Sequence, residues 1–366
     1  MLILTPGMTV VTDLGRFNGP PLGFSVNGAL DQYSARVANI LVGNHENAPL
    51  LETTASRLSF AAENDMLIAV TGSAGSIRID GYTVPDHSPV SVETGQVVTV
   101  NPGPIGLRSY LAVHGSFTVP MLLGSCAPDS MIGFGLRLEK SQRLACNLSQ
   151  APLRNPSLDL PLLRLGPIAA RIEEEPRIEV TEGPDIAEFG DTASRLFEKP
   201  YVVSPRSNHV GLRLAGHLPE RVSKGEVLSR GVPVGAIEVP STQELLVLHR
   251  GRGVTAGYPV LAVLTLPALD AMAQTRPGQS VRFHPTTLER ASLRQLDQHL
   301  HLTRLRERCW EALAAHGVRS FGVGTAVGNS AESDPTGQAA PKPPEPAAPN
   351  GPDLPNSPQP AESRLP

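Results

Sequence analysis

The sequence predicts a mainly β protein in two halves, with a few helices. Three observations lead there. Glycine (34 residues) and proline (36) are plentiful in a chain of 366, the supply that many tight turns need. Apolar residues fall mostly in short runs of strand length, bounded by turn residues. Helical spacing is confined to a few stretches, and the length suffices for two domains.

Taken in order, the first helix is Asp31 to Leu41, with Val37, Ile40 and Leu41 on one side and Gly43 at its stop. "SIRIDGYTV" is a hairpin with Asp80-Gly81 at the turn, and "PVSVETGQVVTV" and "LRSYLAVHG" continue as short β-rich runs. "RNPSLDLPLLRLGPIAARIEEEPRIEV" is the passage between halves. A second helix, Pro267 to Thr275, begins with proline in its first turn. Just before it, "GRGVTAGYPVLAV" sets glycine-spaced backbone and Tyr258-Pro259 against the buried run Val260 to Val263, which holds a tyrosine hydroxyl at the rim of a rigid sheet.

A long helix follows from a capping box of Thr286 and Glu289, with Leu293, Leu296 and Leu300 sharing a face and Gly317 at the stop. His299 and His301 point to different sides of it and are no metal pair. The remainder, rich in proline and poor in large apolar side chains, cannot offset the entropy of ordering. The expected division is a β-rich half at 1–168, a second β half at 169–284, the helix at 285–317 and a disordered tail at 318–366.

Composition excludes several classes. Net charge is −4 without a basic cluster, which argues against nucleic acid. The chain has no apolar run of membrane-spanning length, and "MLILTPGMTV" lacks the features of a signal peptide, so a cytoplasmic protein is expected. Three cysteines without CxxC spacing argue against a disulfide framework or zinc, and no metal is expected. Cys126 has no base near it in sequence and reads as a small hydrophobe, and His114 reads as a core histidine.

The Walker A, GxGxxG and GxSxG patterns are absent. None of the four lysines follows methionine, so ATP or biotin, if used, must be carried by another polypeptide. What remains is polar residues in glycine-rich turns: Asp13 and Arg16 in "TDLGR", and Ser204, Ser207, Asn208 and Arg213 in "SPRSNHVGLRL". Such groups can donate to a developing oxyanion, and they can equally cap turns.

In their order, "VTDLGR", "NGALDQYSARVANILVGN", "LIAVTGS", "RSYLAVHG", "VPMLLGS", "VVSPRSNHVGLRLAG", "GVPVGAIEVP" and "TAGYPVLAV" resemble the allophanate hydrolase subunit 2 family, from Thr5 to Phe283. That family takes in the biotin-dependent carboxyltransferase domain of urea carboxylases, the C subunit of bacterial 5-oxoprolinase and the KipA-like proteins. The resemblance implies cyclophilin-like β-barrels and a partner of the allophanate hydrolase subunit 1 type, which in 5-oxoprolinase is the B subunit. With that partner and the A subunit of 5-oxoprolinase, 5-oxoproline is opened to glutamate at the expense of ATP, bound largely outside this chain. The alternatives are carboxyl transfer to urea or a similar amide from biotin supplied in trans, and a non-catalytic KipA-like regulator that sequesters its subunit 1 partner.

The resemblance also implies site residues. Tyr258 and the Ser207-Asn208 turn are expected to hydrogen-bond the amide, Arg213 to oppose a carboxylate or phosphate, and Glu226 or Glu238 to move protons. Ser204, Gly257 and Pro259 accompany them, with Asp13, Arg16, Asp31, Glu52, Thr71, Gly72, Arg108 and Tyr110 in the first half. The chain departs from the family's pattern at four places: Glu238 where Gln is common, Gly251 where an acid is common, and Cys126 and His209 where arginine is common. Arg250 and Arg252 make the segment ahead of Gly257 more basic. These departures imply an altered substrate or weakened activity.

Overall fold

Short apolar runs become strands wherever both of their faces find cover, and this governs the first half. The computed structural model describes residues 1–153, 165–166, 172–222, 225, 227–240 and 244–321. The first half holds β1 (Leu2–Thr5), β2 (Thr9–Thr12), α1 (Gln32–Leu41), β3 (Leu50–Thr54), β4 (Leu58–Ala61), β5 (Met66–Gly72) and β6 (Ala74–Ile79). It continues with β7 (Tyr82–Val84), β8 (Pro89–Val92), β9 (Val97–Pro102), β10 (Arg108–Val113) and β11 (Leu136–Arg137).

These strands form two sheets, β1-β4-β9-β6-β7 and β11-β2-β3-β10-β5-β8, with Phe60, Val98 and Ile77 of one packed on Ile68, Val92 and Leu111 of the other. Every residue of β5 is buried. Its alternate residues Leu67 and Ala69 face a third layer, α1, through Ala35 and Ala38, so a sheet covered on both sides reads as a continuous apolar run. The predicted turn is present: Asp80 and Gly81 take φ of 48° and 86°, and Ile79 pairs with Tyr82.

The second half holds β12 (Arg177–Glu182), α2 (Arg195–Glu198), β13 (Tyr201–Val203), β14 (Gly211–Ala215), β15 (Arg230–Gly231), β16 (Ala236–Glu238) and β17 (Leu245–Leu248). After them come β18 (Thr255–Ala256), β19 (Val260–Leu264), α3 (Leu266–Ala273) and β20 (Ser280–Pro285). Seven of the strands close as a barrel in the order β12-β19-β16-β17-β14-β13-β20, and β12 meets β20 in parallel. Alternation puts Leu212, Leu214, Ile237, Val247 and Leu261 inside. The mainly β fold is as predicted. A closed barrel is found in the second half, whereas the strands of the first half lie in two facing sheets.

The last helix, α4 (Leu288–Ala315), corrects two expectations. Its cap is Thr287, whose side chain accepts from Arg290 N at 3.2 Å, so Thr286 and Glu289 form no capping box. Leu293, Leu296 and Leu300 are 59%, 52% and 42% exposed, while Leu302, Leu305, Cys309 and Leu313 pack against α1. The leucines share a face as their spacing requires, but that face is left largely open to solvent. Val318 and Phe321, which the sequence assigns to the tail, are buried, and Phe321 N donates to Gly43 O at 2.8 Å. The tail from 322 lies outside the described residues. No described helix is long and apolar enough to cross a membrane.

Candidate functional site

The two halves meet along a buried polar seam, to which most of the predicted first-half residues contribute. Asp13 organises the entry. Its Oδ1 accepts from Gly15 N at 2.9 Å and Ser125 Oγ at 2.7 Å, and its Oδ2 from Cys126 N at 2.8 Å. Arg16 is fully buried, donating to Leu122, Ser25 and Ala127 carbonyls and lying 3.6 Å from Asp129 Oδ2. With these partners Asp13 and Arg16 hold the loop that carries Asp129. Burial, with Asp13 beside it, pushes the Cys126 thiol well up, so it is no thiolate nucleophile. His114 is likewise a core residue, with Nδ1 2.7 Å from Val42 O.

Deeper in the seam, β3 and β10 lie side by side with Tyr110 opposite Glu52. Tyr110 donates to Glu52 Oε2 at 2.8 Å and accepts from Asp31 N at 2.9 Å. Arg108 Nε stands 3.5 Å from Glu52 Oε1, and its Nη1 donates to Ala273 O across the seam. Thr71 Oγ1 donates to Ser34 O at 2.7 Å, anchoring α1. Gly72 must be glycine: its φ is 76°, and a Cβ would lie 2.5 Å from Arg108 O.

Three barrel residues that sequence reasoning missed complete the seam. Gln274 Nε2 donates to Asp31 Oδ2 at 2.7 Å, and its Oε1 accepts from the backbone N–H of Leu107 and Arg108. Asp270 accepts from Gln32 N at 2.9 Å and sits 3.6 Å from Arg250. His249 is buried with Nε2 3.2 Å from Leu269 O, and burial depresses its basicity. Asp270 and Gln274 are four apart on one face of the α3 segment, the only local signal of them in the sequence. Burial, with Asp31 beside it, lifts the Asp270 carboxyl to about 7.

From the barrel side, the loop between β13 and β14 reaches this seam through His209, whose Nε2 is 3.2 Å from Ser130 Oγ. Burial lowers the His209 pKa, and Glu52, Arg108 and Asp129 all act on it electrostatically. A neutral imidazole thus stands beside carboxylates and a guanidinium, an arrangement able to pass a proton and hold an anion. Its neighbours Ser207 and Asn208 serve the turn itself. Ser207 Oγ accepts from Arg213 N at 3.0 Å, and Asn208 Oδ1 accepts from Val210 N at 2.9 Å. Ser204 Oγ accepts from Arg206 N at 3.2 Å, and Arg213 pairs with Glu244 at 3.3 Å.

Tyr258 lies elsewhere. With Gly257 and Pro259 it borders a cleft of about 1200 Å³ that His217, Glu220 and Ser229 also line. That cleft follows β14 while the His209 loop precedes it, so five residues of strand, roughly 15 Å, separate the two. Neither Ser207 nor Asn208 lines the cleft that Tyr258 borders. Glu238, on the outward row of β16 opposite Leu246 and Val260, is 1% exposed with Oε1 unpaired among the described residues, and burial lifts its carboxyl to about 7. Glu226 lies outside the described residues. Among the described residues, no cluster of histidine, cysteine and acidic side chains is arranged to hold a metal.

Comparison with known proteins places this geometry in a family. A sequence model of the carboxyltransferase domain, subdomain A and B, matches residues 22–285. The chain is 33% identical to the C subunit of 5-oxoprolinase from Escherichia coli (strain K12) over 310 residues, 83% of this chain and 96% of that one. The crystal structure of TTHA0988 matches 77% of this chain at 32% identity and a TM-score of 0.66, and the chain spans 55% of that protein. The Kluyveromyces lactis urea carboxylase matches 83% of this chain at 26% identity and a TM-score of 0.74, the chain covering 29% of it.

Proposed function

Because the chain belongs to the family of the carboxyltransferase domain, subdomains A and B, we propose that it is the C-type component of a complex that opens 5-oxoproline to glutamate. The observation that carries this reading is the match to a 5-oxoprolinase C subunit, which extends along 96% of that protein's length. Partners of the 5-oxoprolinase A and B types complete the complex, and ATP is hydrolysed on them.

The seam supplies what a lactam needs. Arg108 offers a cation to the substrate carboxylate, and His209, held neutral by burial, takes a proton from the water that attacks the lactam carbonyl and returns it to the ring nitrogen as the C–N bond breaks. Glu52, fixed by Tyr110 and Leu30 N, keeps Arg108 in place. Tyr258 and its cleft are assigned to the approach of the substrate or partner.

Co-expression with the A-type and B-type partner proteins tests the proposal through ADP released on adding 5-oxoproline. Lactam-dependent release that vanishes without this chain, and falls at least about tenfold in His209→Ala, supports it. A stable complex that uses no ATP would sink it. The likeness to urea carboxylase, the higher TM-score of the two structures, favours as second reading carboxyl transfer to a small amide from biotin carried on another polypeptide. Carboxylation of urea by the complex plus a biotin carboxylase separates that reading from the first.

A further inference from the structure

Behind the seam, where α1, α3 and α4 meet, a pocket of about 350 Å³ opens to solvent, a volume suited to a small metabolite. Arg250 forms part of its floor and is 6% exposed. Such a guanidinium carries five N–H donors. Among the described residues its side chain makes a single long hydrogen bond, from Nε to Leu30 O at 3.4 Å, and its contact with Asp270 is 3.6 Å, beyond hydrogen-bonding distance. A guanidinium with so few protein partners, lining an open pocket, has donors free for an anionic group that enters it.

The surroundings indicate what fills it. Asp270 beside Arg250 offers an acceptor, the Gln298 amide at the wall can donate or accept, and Leu296 and Leu302 give an apolar side. A cation at the floor, an acid next to it and a short aliphatic wall match the carboxylate, ammonium and side-chain carbons of one small molecule. We infer that this pocket binds a free α-amino acid, its carboxylate on Arg250 and its ammonium on Asp270. The pocket shares Asp270 with the seam, but neither His209 nor Arg108 lines it, and it does not depend on the lactam reading, because binding is measured on this chain without partners, ATP or turnover.

Calorimetric titration of the full chain with L-glutamate, L-glutamine and acetate tests this. The expected result is saturable binding of at least one amino acid, with acetate binding much more weakly. Arg250→Met should weaken that binding about ten- to hundredfold, the worth of a charge-assisted contact. Since a buried arginine can matter for folding, Ser292→Trp is the second variant. It fills the pocket mouth from an exposed position on α4 and should abolish binding with the thermal midpoint unchanged. No binding of either amino acid to the wild-type chain overturns the inference, as does binding that survives Ser292→Trp. Acetate binding as tightly as the amino acids would overturn the assignment of the ammonium to Asp270.

Discussion

Glu238 and Gly251, two of the residues at which the chain departs from its family's pattern, have different physical meanings. Burial holds the Glu238 carboxyl near pH 7 against an ordinary 4.5, so the folded chain binds this proton more tightly than the unfolded one. The stability it contributes is complete below pH 4.5 and is lost as pH rises to about 7, a loss of about 3 kcal/mol at roughly 1.4 kcal/mol per unit. Glu238→Gln should flatten that slope, which urea denaturation at several pH values would show; an unchanged slope would mean the carboxylate has a partner after all. Gly251 answers to His209. A Cβ there would lie 2.5 Å from His209 Cδ2 and 2.8 Å from its carbonyl oxygen, so no side chain can enter while the loop stays in place. Gly251→Ala should destabilise by about 1–3 kcal/mol. Adding His209→Gly should recover only part of this, because the carbonyl remains.

At the level of the element, α4 is two helices in one. Truncating Leu305 or Leu313, both essentially buried, should destabilise by about 2–5 kcal/mol, while Leu293→Ala and Leu300→Ala should stay within about 0.5 kcal/mol. Thr287→Ala should weaken the helix by about 1 kcal/mol and Thr286→Ala by less, read from denaturation midpoints. Equal effects for the two leucine pairs would mean that the exposed leucine face is covered in solution. The contrast marks what the sequence can express. Period and punctuation placed the helices and the Asp80-Gly81 hairpin, because those signals are local. Which stripe of α4 is buried depends on what distant elements pack against it, and a leucine spacing carries no record of that. The cap slipped by one residue because either threonine satisfies the rule, and Thr286 N is already engaged with Val180 O in extending the barrel.

For the whole molecule, Gln274 joins the halves by bonding Asp31 and the backbone of Leu107 and Arg108. Gln274→Ala leaves several buried groups unpaired at about 1–3 kcal/mol each. It should therefore turn one cooperative denaturation into two resolved transitions, seen when fluorescence and circular dichroism no longer coincide. A variant that still unfolds in one step would show that apolar contacts alone unite the halves. The seam was only partly legible: Asp31, Glu52, Arg108 and Tyr110 were singled out through family likeness, whereas Gln274, Asp270 and Asp129 reach it from distant parts of the chain. Tyr258 was joined to the Ser207-Asn208 turn through family likeness, and neither residue of that turn lines the cleft that Tyr258 borders. Finally, the barrel closes where its first strand, β12, lies parallel to its last, β20. On the ribosome, therefore, this half cannot be sealed until residue 285 has emerged, and every shorter nascent chain leaves the β12 edge open to a stranger's strand. Slow decoding or a stop within α3 should direct the product to chaperones or aggregates, making the last strand a checkpoint of synthesis.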